Sequence, residues 1–288
     1  MTRIAVVSPS TDAYSETFIS SHIELLPAKV HVLSGGHLPT YGDGHSLVKD
    51  YSLPKRIRFR LGQQRRGLAW DGQAKHIATI EEFLRRHQIQ AVLAEYGPTG
   101  VAMMEVCERA GIPLVVHFHG YDAFSQEVVA EYRKSYHQLF SRCAALVASS
   151  YFMKDRLISL GAPHRLVQRD PYGVDITKFR TTSPEKNVAA LLAVGRFVNK
   201  KAPYLTLLAF YQAQQVVDEL RLIMVGDGPI WETCVRLSGV LGIGDKVDFL
   251  GVQSPDEIVE LMKRARGFVQ HSVTSLNGDS EITRCCIS

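Results

Sequence analysis

Apolar and polar positions change period repeatedly along this chain. Short apolar runs with the composition of buried strands alternate with stretches whose apolar residues recur every three to four positions, as on one helix face. The pattern predicts strands over 3–8 and 30–34, a helix over 74–87 through Ile77, Ile80, Phe83 and Leu84, and a strand over 91–94. It continues with a helix over 100–110, a strand over 114–118, a helix over 126–142, a strand over 145–149 and a helix over 152–160. Gly161 and Pro163 stop that helix, glycine as a C-cap and proline because it cannot continue the turn. Residues 35–72, rich in Gly, Pro and Arg, follow neither period and read as irregular.

After Asp175 the texture turns polar. Thr181, Thr182, Ser183, Pro184, Glu185 and Lys186 mark a linker over 178–187. Alternation then restarts, with strands over 188–194, 222–225, 247–250 and 267–270 and helices over 203–214, 230–241 and 255–265. Two blocks of strand–helix alternation predict an α/β protein with two doubly wound, Rossmann-like parallel sheets, one domain over 1–177 and a second over 188–288. Such sheets take ligands beyond the carboxyl ends of their strands, so function is expected where strands run into loops.

Composition trims the alternatives. A chain of 288 residues suits two domains, and 45% apolar with 22% charged residues is ordinary for a globular protein. No apolar run approaches the roughly eighteen residues of a membrane span. The N-terminal apolar stretch is too short for a signal peptide. Five cysteines without a C-x-x-C pair suggest a reducing cytoplasm, with neither a zinc site nor a disulfide framework. Thirty-three basic against 29 acidic residues give +4, too mild a surplus to imply nucleic acid. Lys55, Arg56, Arg58, Arg60, Arg65 and Arg66 do cluster without an acidic neighbour. A solvated loop or edge explains them, and a patch for anionic lipid at a membrane surface is the sharper alternative.

Four strand ends carry candidate chemistry. Ser15, Glu16 and Thr17 stand after the first strand, with Ser15 placed to cap a helix whose free N–H groups favour anions. His117-Phe118-His119-Gly120-Tyr121-Asp122 ends the strand 114–118, and strand alternation puts both histidines on one face. A strand-end histidine can exchange a proton with a ligand oxygen or simply be satisfied by backbone. Two histidines two apart also suggest a metal, but no third ligand stands nearby in sequence, and none is expected. The turn from Gly195 and Arg196 to Lys200, Lys201 and Pro203 sets a guanidinium and ammonium groups beside a helix start, which suits a diphosphate. Gly226, Asp227 and Gly228 form a turn that lets backbone approach a ligand closely. No D-x-D occurs, so a metal-bridged nucleotide-sugar site of that kind has no candidate.

In order, S-E-T-F-I at 15–19, H-F-H-G-Y-D at 117–122, Y-G-V-D at 172–175, G-R-F-V-x-K-K at 195–201, V-G-D-G-P at 225–229, V-x-F-L-G at 247–251 and N-G-D-S-E at 277–281 resemble the retaining glycosyltransferases of family 4, which have the GT-B fold. The resemblance implies a nucleotide-diphosphate sugar on the second domain and a polysaccharide or glycolipid acceptor on the first, with reaction in the cleft between them. It makes Arg196 and Lys201 the diphosphate cations, without metal and without a further cofactor. It makes His119, near the transferred sugar, and Glu281 the catalytic candidates, with Gly195, Gly226, Asp227 and Gly228 lining the donor side and Ser15, Glu16 and Thr17 on the acceptor side. Retention is commonly explained in that family by same-face attack, with the leaving phosphate helping to deprotonate the acceptor.

The resemblance weakens at the end. Glu281 matches the first glutamate of the family's acidic signature, but the second falls one position past Ser288. The tail, with Cys285 beside Cys286, does not resemble the Gly-x-Pro helix start that should follow. These features lead to the expectation of a truncated, inactive form whose last strand, 267–270, is thinly covered. Two other classes remain in view. One is a non-catalytic remnant that binds an anion or a partner. The other is a sugar-nucleotide epimerase or dehydrogenase, disfavoured because the first strand–turn lacks the glycine fingerprint. The expected location is the cytoplasm, with peripheral contact at the inner face of the membrane as the alternative that the basic cluster raises.

Overall fold

The computed structural model describes residues 1–10, 17–48, 72–174, 176, 177, 179 and 182–279. The chain divides into two compact units, Met1–Tyr172 and Gly173–Ser288, a few residues ahead of the boundary expected from the sequence. Asn187, at the far end of the expected linker, is already docked on the second unit. Its side-chain amide donates to the carbonyls of Lys263 and Ala265 at 2.8 and 2.9 Å.

The first unit is built on β1 (Arg3–Val7), β2 (Lys29–Ser34), β3 (Tyr41–Gly42), β4 (His45–Ser46), β5 (Ala91–Glu95), β6 (Leu114–Phe118), β7 (Ala145–Ala148) and β8 (Val167–Arg169). These form one sheet in the order β4-β3-β2-β1-β5-β6-β7-β8. Pairing is parallel from β2 to β8, and the β3–β4 hairpin adds to the β2 edge in antiparallel fashion. Helices α1 (Thr17–Leu25), α2 (Gly72–Arg86), α3 (Gly97–Ala110), α4 (Tyr121–Phe124), α5 (Gln126–Arg142) and α6 (Tyr151–Ser159) accompany it. The central strands bury Val6, Val92, Val116, Phe118 and Leu146 completely, as strands packed on both faces must.

Strand β8 and the short helix α4 were not expected from the sequence, and two further departures have a clear local cause. The hairpin falls inside the stretch read as irregular. Its turn is Asp43-Gly44 with φ of 47° and 77°, the two-residue geometry that Asp-Gly favours, so a strand signal stood there in plain view. Helix α3 starts at Gly97 rather than 100, because Pro98 at its first turn costs no hydrogen bond there.

The second unit has β9 (Ala190–Val194), β10 (Arg221–Val225), β11 (Val247–Gly251) and β12 (Gly267–Phe268), all parallel, in the order β11-β10-β9-β12. Helices α7 (Pro203–Gln214), α8 (Trp231–Val240) and α9 (Pro255–Arg264) pack on it. Its main core gathers Phe197, Leu207, Phe210, Leu222, Met224 and Cys234. Edge strand β12 pairs through only Gly267 and Phe268, and Phe268 remains 39% exposed. Among the described residues no helix is long and apolar enough to cross a membrane.

The start of α3 lies tight on β6. A Cβ at Gly97 would meet the Phe118 ring and lie 2.7 Å from Tyr136 Oη. Gly97→Ala should therefore destabilise the first unit by about 1–3 kcal/mol through overpacking. Native-state hydrogen exchange at the β5 and β6 amides reads this directly, and undiminished protection there would refute the packing argument.

Candidate functional site

The carboxyl edge of the first sheet is organised by two buried carboxylates. Asp122, fully buried in α4, accepts the Gly97 N–H at 2.8 Å and the His119 and Gly120 N–H groups at 3.0 Å. These donors belong to the start of α3 and to the turn leaving β6, where neither sheet nor helix supplies an acceptor. Burial pushes the Asp122 carboxyl above the ordinary carboxylate range, opposed by the neighbouring His119 and by the N–H donors it collects. The turn Phe118–Asp122 is thereby fixed, and with it the direction of His119.

Glu95, the last residue of β5, is the second. It is the register partner of His117 on β6. Its Oε1 lies 2.7 Å from His22 Nδ1 and its Oε2 2.7 Å from His119 Nε2. Burial works to raise its pKa, but hydrogen bonds from His119 and His22 outweigh that and hold the carboxyl at about 2. His117 is the opposite case. Burial, reinforced by His119 and only partly offset by Glu95, brings its pKa down to about 2, so the imidazole is neutral. Its Nε2 is buried without a hydrogen-bond partner among the described residues.

His119 is enclosed. Its Nδ1 lies 2.5 Å from the Tyr172 hydroxyl, Phe18 stacks on the ring at 4.3 Å, and the side chain is 2% exposed. The histidine expected to meet the sugar thus has both ring nitrogens engaged within its own unit. His117 and His119 do share a face, with ring centroids 4.3 Å apart, while Phe118 packs away against Tyr136 and Phe140.

No third ligand stands near His117 in sequence, but the fold brings two potential ones to it. His22, Glu95 and His117 offer donor atoms within 4.8 Å of one another, brought together by β5–β6 register and by α1 rather than by sequence spacing. Both Glu95 oxygens are spent on imidazoles, so the set reads as a hydrogen-bonded network. Sequence reasoning missed Glu95, His22 and Phe18. A carboxylate ending the apolar run Ala91–Glu95, and an aromatic and a histidine four apart on a helix, were the signals available.

In the second unit the strand ends of β9 and β10 form a pocket. Gly195, Arg196, Phe197, Lys201, Thr206 and His271 are among its lining residues. Lys200 is turned elsewhere, paired with Asp279 at 3.0 Å. The Gly226–Gly228 turn lies flat on the neighbouring strand end. A Cβ on Gly226 would strike the Gly195 carbonyl, and one on Gly228 would lie 2.6 Å from the Phe197 carbonyl. Phe197 N–H donates to the Asp227 carbonyl at 2.9 Å, and Gly228 N–H to Asp227 Oδ1 at 2.7 Å. These glycines therefore serve backbone-on-backbone packing beneath the pocket. His271, joined to Thr206 Oγ1 at 3.1 Å, is a lining residue with no sequence signal.

Several expected positions lie outside the described residues: Ser15, Glu16, the Thr17 side chain, Asp175, the basic cluster 55–66, Glu281 and the Cys285–Cys286 tail. Of the described ones, Arg196 and Lys201 share a pocket, while His119 belongs to the Glu95–Asp122 network of the other unit.

Comparison with known proteins agrees across the chain. The sequence profile of Glycosyltransferase Family 4 matches residues 17–178, and that of Glycosyl transferases group 1 matches residues 175–278. The putative colanic acid biosynthesis glycosyltransferase WcaL of Escherichia coli K12 is 28% identical over 227 residues, 77% of this chain and 54% of that protein. The amylovoran biosynthesis glycosyltransferase AmsK of Erwinia amylovora is 24% identical over 58% of this chain and 42% of its own length. The chain spans about half the length of the curated relatives it matches. Anabaena HepE, solved with UDP and glucose, superposes with a TM-score of 0.68 at 18% identity, covering 94% of this chain and 74% of that one. The fold is that of GT-B glycosyltransferases, with two Rossmann-like parallel-sheet units.

The buried network makes the first unit acid-sensitive. His117 is held at about 2 when folded, so the unfolded chain takes up more protons as pH falls below about 6.5, and stability falls with it. Glu95, also at about 2, adds a further loss once pH falls below about 4.5. His117 alone should cost about 2 kcal/mol between pH 7 and pH 5. Hydrogen exchange at β5 and β6 should show that drop, and His117→Gln should flatten it. Equal pH dependence in the variant would mean that His117 is not its source.

Proposed function

The chain belongs to Glycosyltransferase Family 4, and from that premise we propose that it serves transfer of a sugar from a nucleotide-diphosphate donor, with retention and without a metal at the donor site. The observation that carries the proposal is the pairing of Arg196 and Lys201 in one pocket at the carboxyl ends of β9 and β10. A guanidinium forks onto phosphate oxygens and an ammonium adds a point charge, together neutralising the leaving diphosphate without a divalent ion. Because such contacts strengthen as charge builds on the leaving group, they act on turnover.

HepE, which shares the fold, was solved with UDP and glucose, and this supports a nucleoside diphosphate as the anion. WcaL and AmsK carry names from polysaccharide biosynthesis, which supports a saccharide or lipid-linked acceptor. We place that acceptor on the first unit, near Ser15, Glu16 and Thr17, with His119 beside the transferred sugar. Contact through a ring nitrogen then requires Tyr172 or Glu95 to release it. Glu281 is assigned to the donor side. Cytoplasmic residence, with the basic cluster touching anionic lipid, completes the reading.

The test is binding and turnover. Nucleoside diphosphate affinity should fall about tenfold or more in Arg196→Ala and in Lys201→Ala, the loss of a charge-assisted contact. Release of labelled sugar, in this chain or in a full-length relative carrying these residues, should fall tenfold to about a thousandfold. Unchanged affinity and turnover in both variants would remove the pocket from the proposal.

Chelation separates the metal question from the cation question. Turnover should survive EDTA. Complete loss, restored by manganese or magnesium, would overturn metal-independent transfer.

A further inference from the structure

A second cluster lies away from the Glu95 network, where the β3–β4 hairpin meets β2 and the end of α2. Its geometry follows from the hairpin. Gly42 has no room for a side chain, since a Cβ there would lie 2.7 Å from the Phe83 ring of α2. That close approach brings the turn residue Asp43 over β2. Asp43 holds φ at 47°, donates its N–H to the Val32 carbonyl at 2.8 Å and accepts the Val32 N–H on Oδ1 at 2.9 Å. One carboxylate oxygen is thus spent on fixing the side chain. The other, Oδ2, faces His31 Nδ1 at 2.7 Å. His87, just past α2, completes the group, with its ring 4.5 Å from that of His31 and stacked on Phe83 at 4.3 Å.

We propose that His31, Asp43 and His87 form a three-donor site for a divalent transition-metal ion of the zinc type. Donor atoms of the three lie within 4.8 Å of one another. Zinc bonds of about 2.0–2.2 Å set tetrahedral ligand atoms roughly 3.4 Å apart, so His31 Nδ1 and Asp43 Oδ2 part from their 2.7 Å contact while the half-buried His87 side chain draws in by roughly 1 Å. Two imidazoles and one carboxylate suit zinc, whereas calcium and magnesium take oxygen ligands. Access also favours this cluster over His22, Glu95 and His117. The Asp43 side chain is 37% exposed and that of Glu95 is 0% exposed, so an ion can enter here and keep water as its fourth ligand. The Val32 N–H on Asp43 Oδ1 supplies the outer hydrogen bond that orients a ligating carboxylate. The ion would staple the hairpin to β2 and α2. It belongs to the first unit, not to the Arg196 pocket, so it has no part in the donor chemistry proposed above.

The test is titration of the metal-free chain with zinc chloride in a non-coordinating buffer, followed by calorimetry. One ion should bind per chain. Affinity should fall by at least the roughly tenfold to hundredfold that losing an outer-shell partner costs, both in His87→Ala and in Asp43→Asn, a variant that keeps the side-chain shape and the Val32 contact. Zinc should also slow hydrogen exchange over residues 41–46 in the wild type but not in His87→Ala. Absence of saturable binding, binding indifferent to both substitutions, or binding lost in His22→Ala instead would each overturn the assignment. In those cases the cluster is a hydrogen-bonded His–Asp pair only.

Discussion

The carboxyl edge of the first sheet depends on one buried carboxylate. Parallel strands that end side by side leave amide groups facing out of the ladder, and a helix starting there adds its own first N–H groups. Asp122 answers three of them at once, from Gly97, His119 and Gly120. Its own backbone carbonyl accepts the Tyr136 hydroxyl of α5 at 2.8 Å, so the knot is tied to the core as well. An apolar residue at that position would orphan three donors, each at a cost of about 1–3 kcal/mol. Any task performed by His119 therefore presupposes Asp122, although nothing in the geometry brings Asp122 itself to a ligand.

The neighbouring Glu95 shows how closely spaced titratable groups are kept apart in role. Left alone, burial would protonate it; two imidazoles hold it ionised instead. That arrangement uses up His22 and His119 and leaves His117, in the same pocket of structure, to be buried neutral. Perturbed groups cluster at functional sites, and structural networks perturb them as well. His117 is buried with an Nε2 that meets no partner among the described residues, whereas His119 sits at the strand end with Glu95 on one ring nitrogen and a tyrosine hydroxyl on the other.

Local features were legible in the sequence. The alternation of periods located most strands and helices to within a few residues, and the H-x-H spacing placed both imidazoles on one face. Arg196 and Lys201 could be placed together because they lie close along the chain, and both line one pocket. What could not be read was created by pairing between distant segments. Glu95 meets His117 because β5 and β6 align in register, and His22 arrives from α1, so residues far apart in sequence share one carboxylate. Gly226 and Gly228 illustrate a subtler shift. They look like ligand-approach glycines, yet their missing side chains make room for the backbones of Gly195 and Phe197. The Asp43-Gly44 hairpin differs again, because its signal was present and was outweighed by the Arg- and Pro-rich stretch around it.

The two units solve opposite electrostatic problems with the same edge of the same kind of sheet. The first gathers carboxylates and must spend imidazoles and backbone amides to keep them satisfied, which yields a rigid, nearly closed network. The second gathers cations. Lys200 is neutralised within the unit by Asp279, whereas Arg196 remains exposed beside Lys201 at the pocket. An exposed guanidinium costs little desolvation in the free protein and gains most when an anion displaces its water. Binding of an anion at such a turn can thus be strong without burying charge beforehand. The imidazole network is closed on itself, and the cationic turn keeps an exposed guanidinium at its pocket. Each arrangement is set by the strand ends of its own sheet.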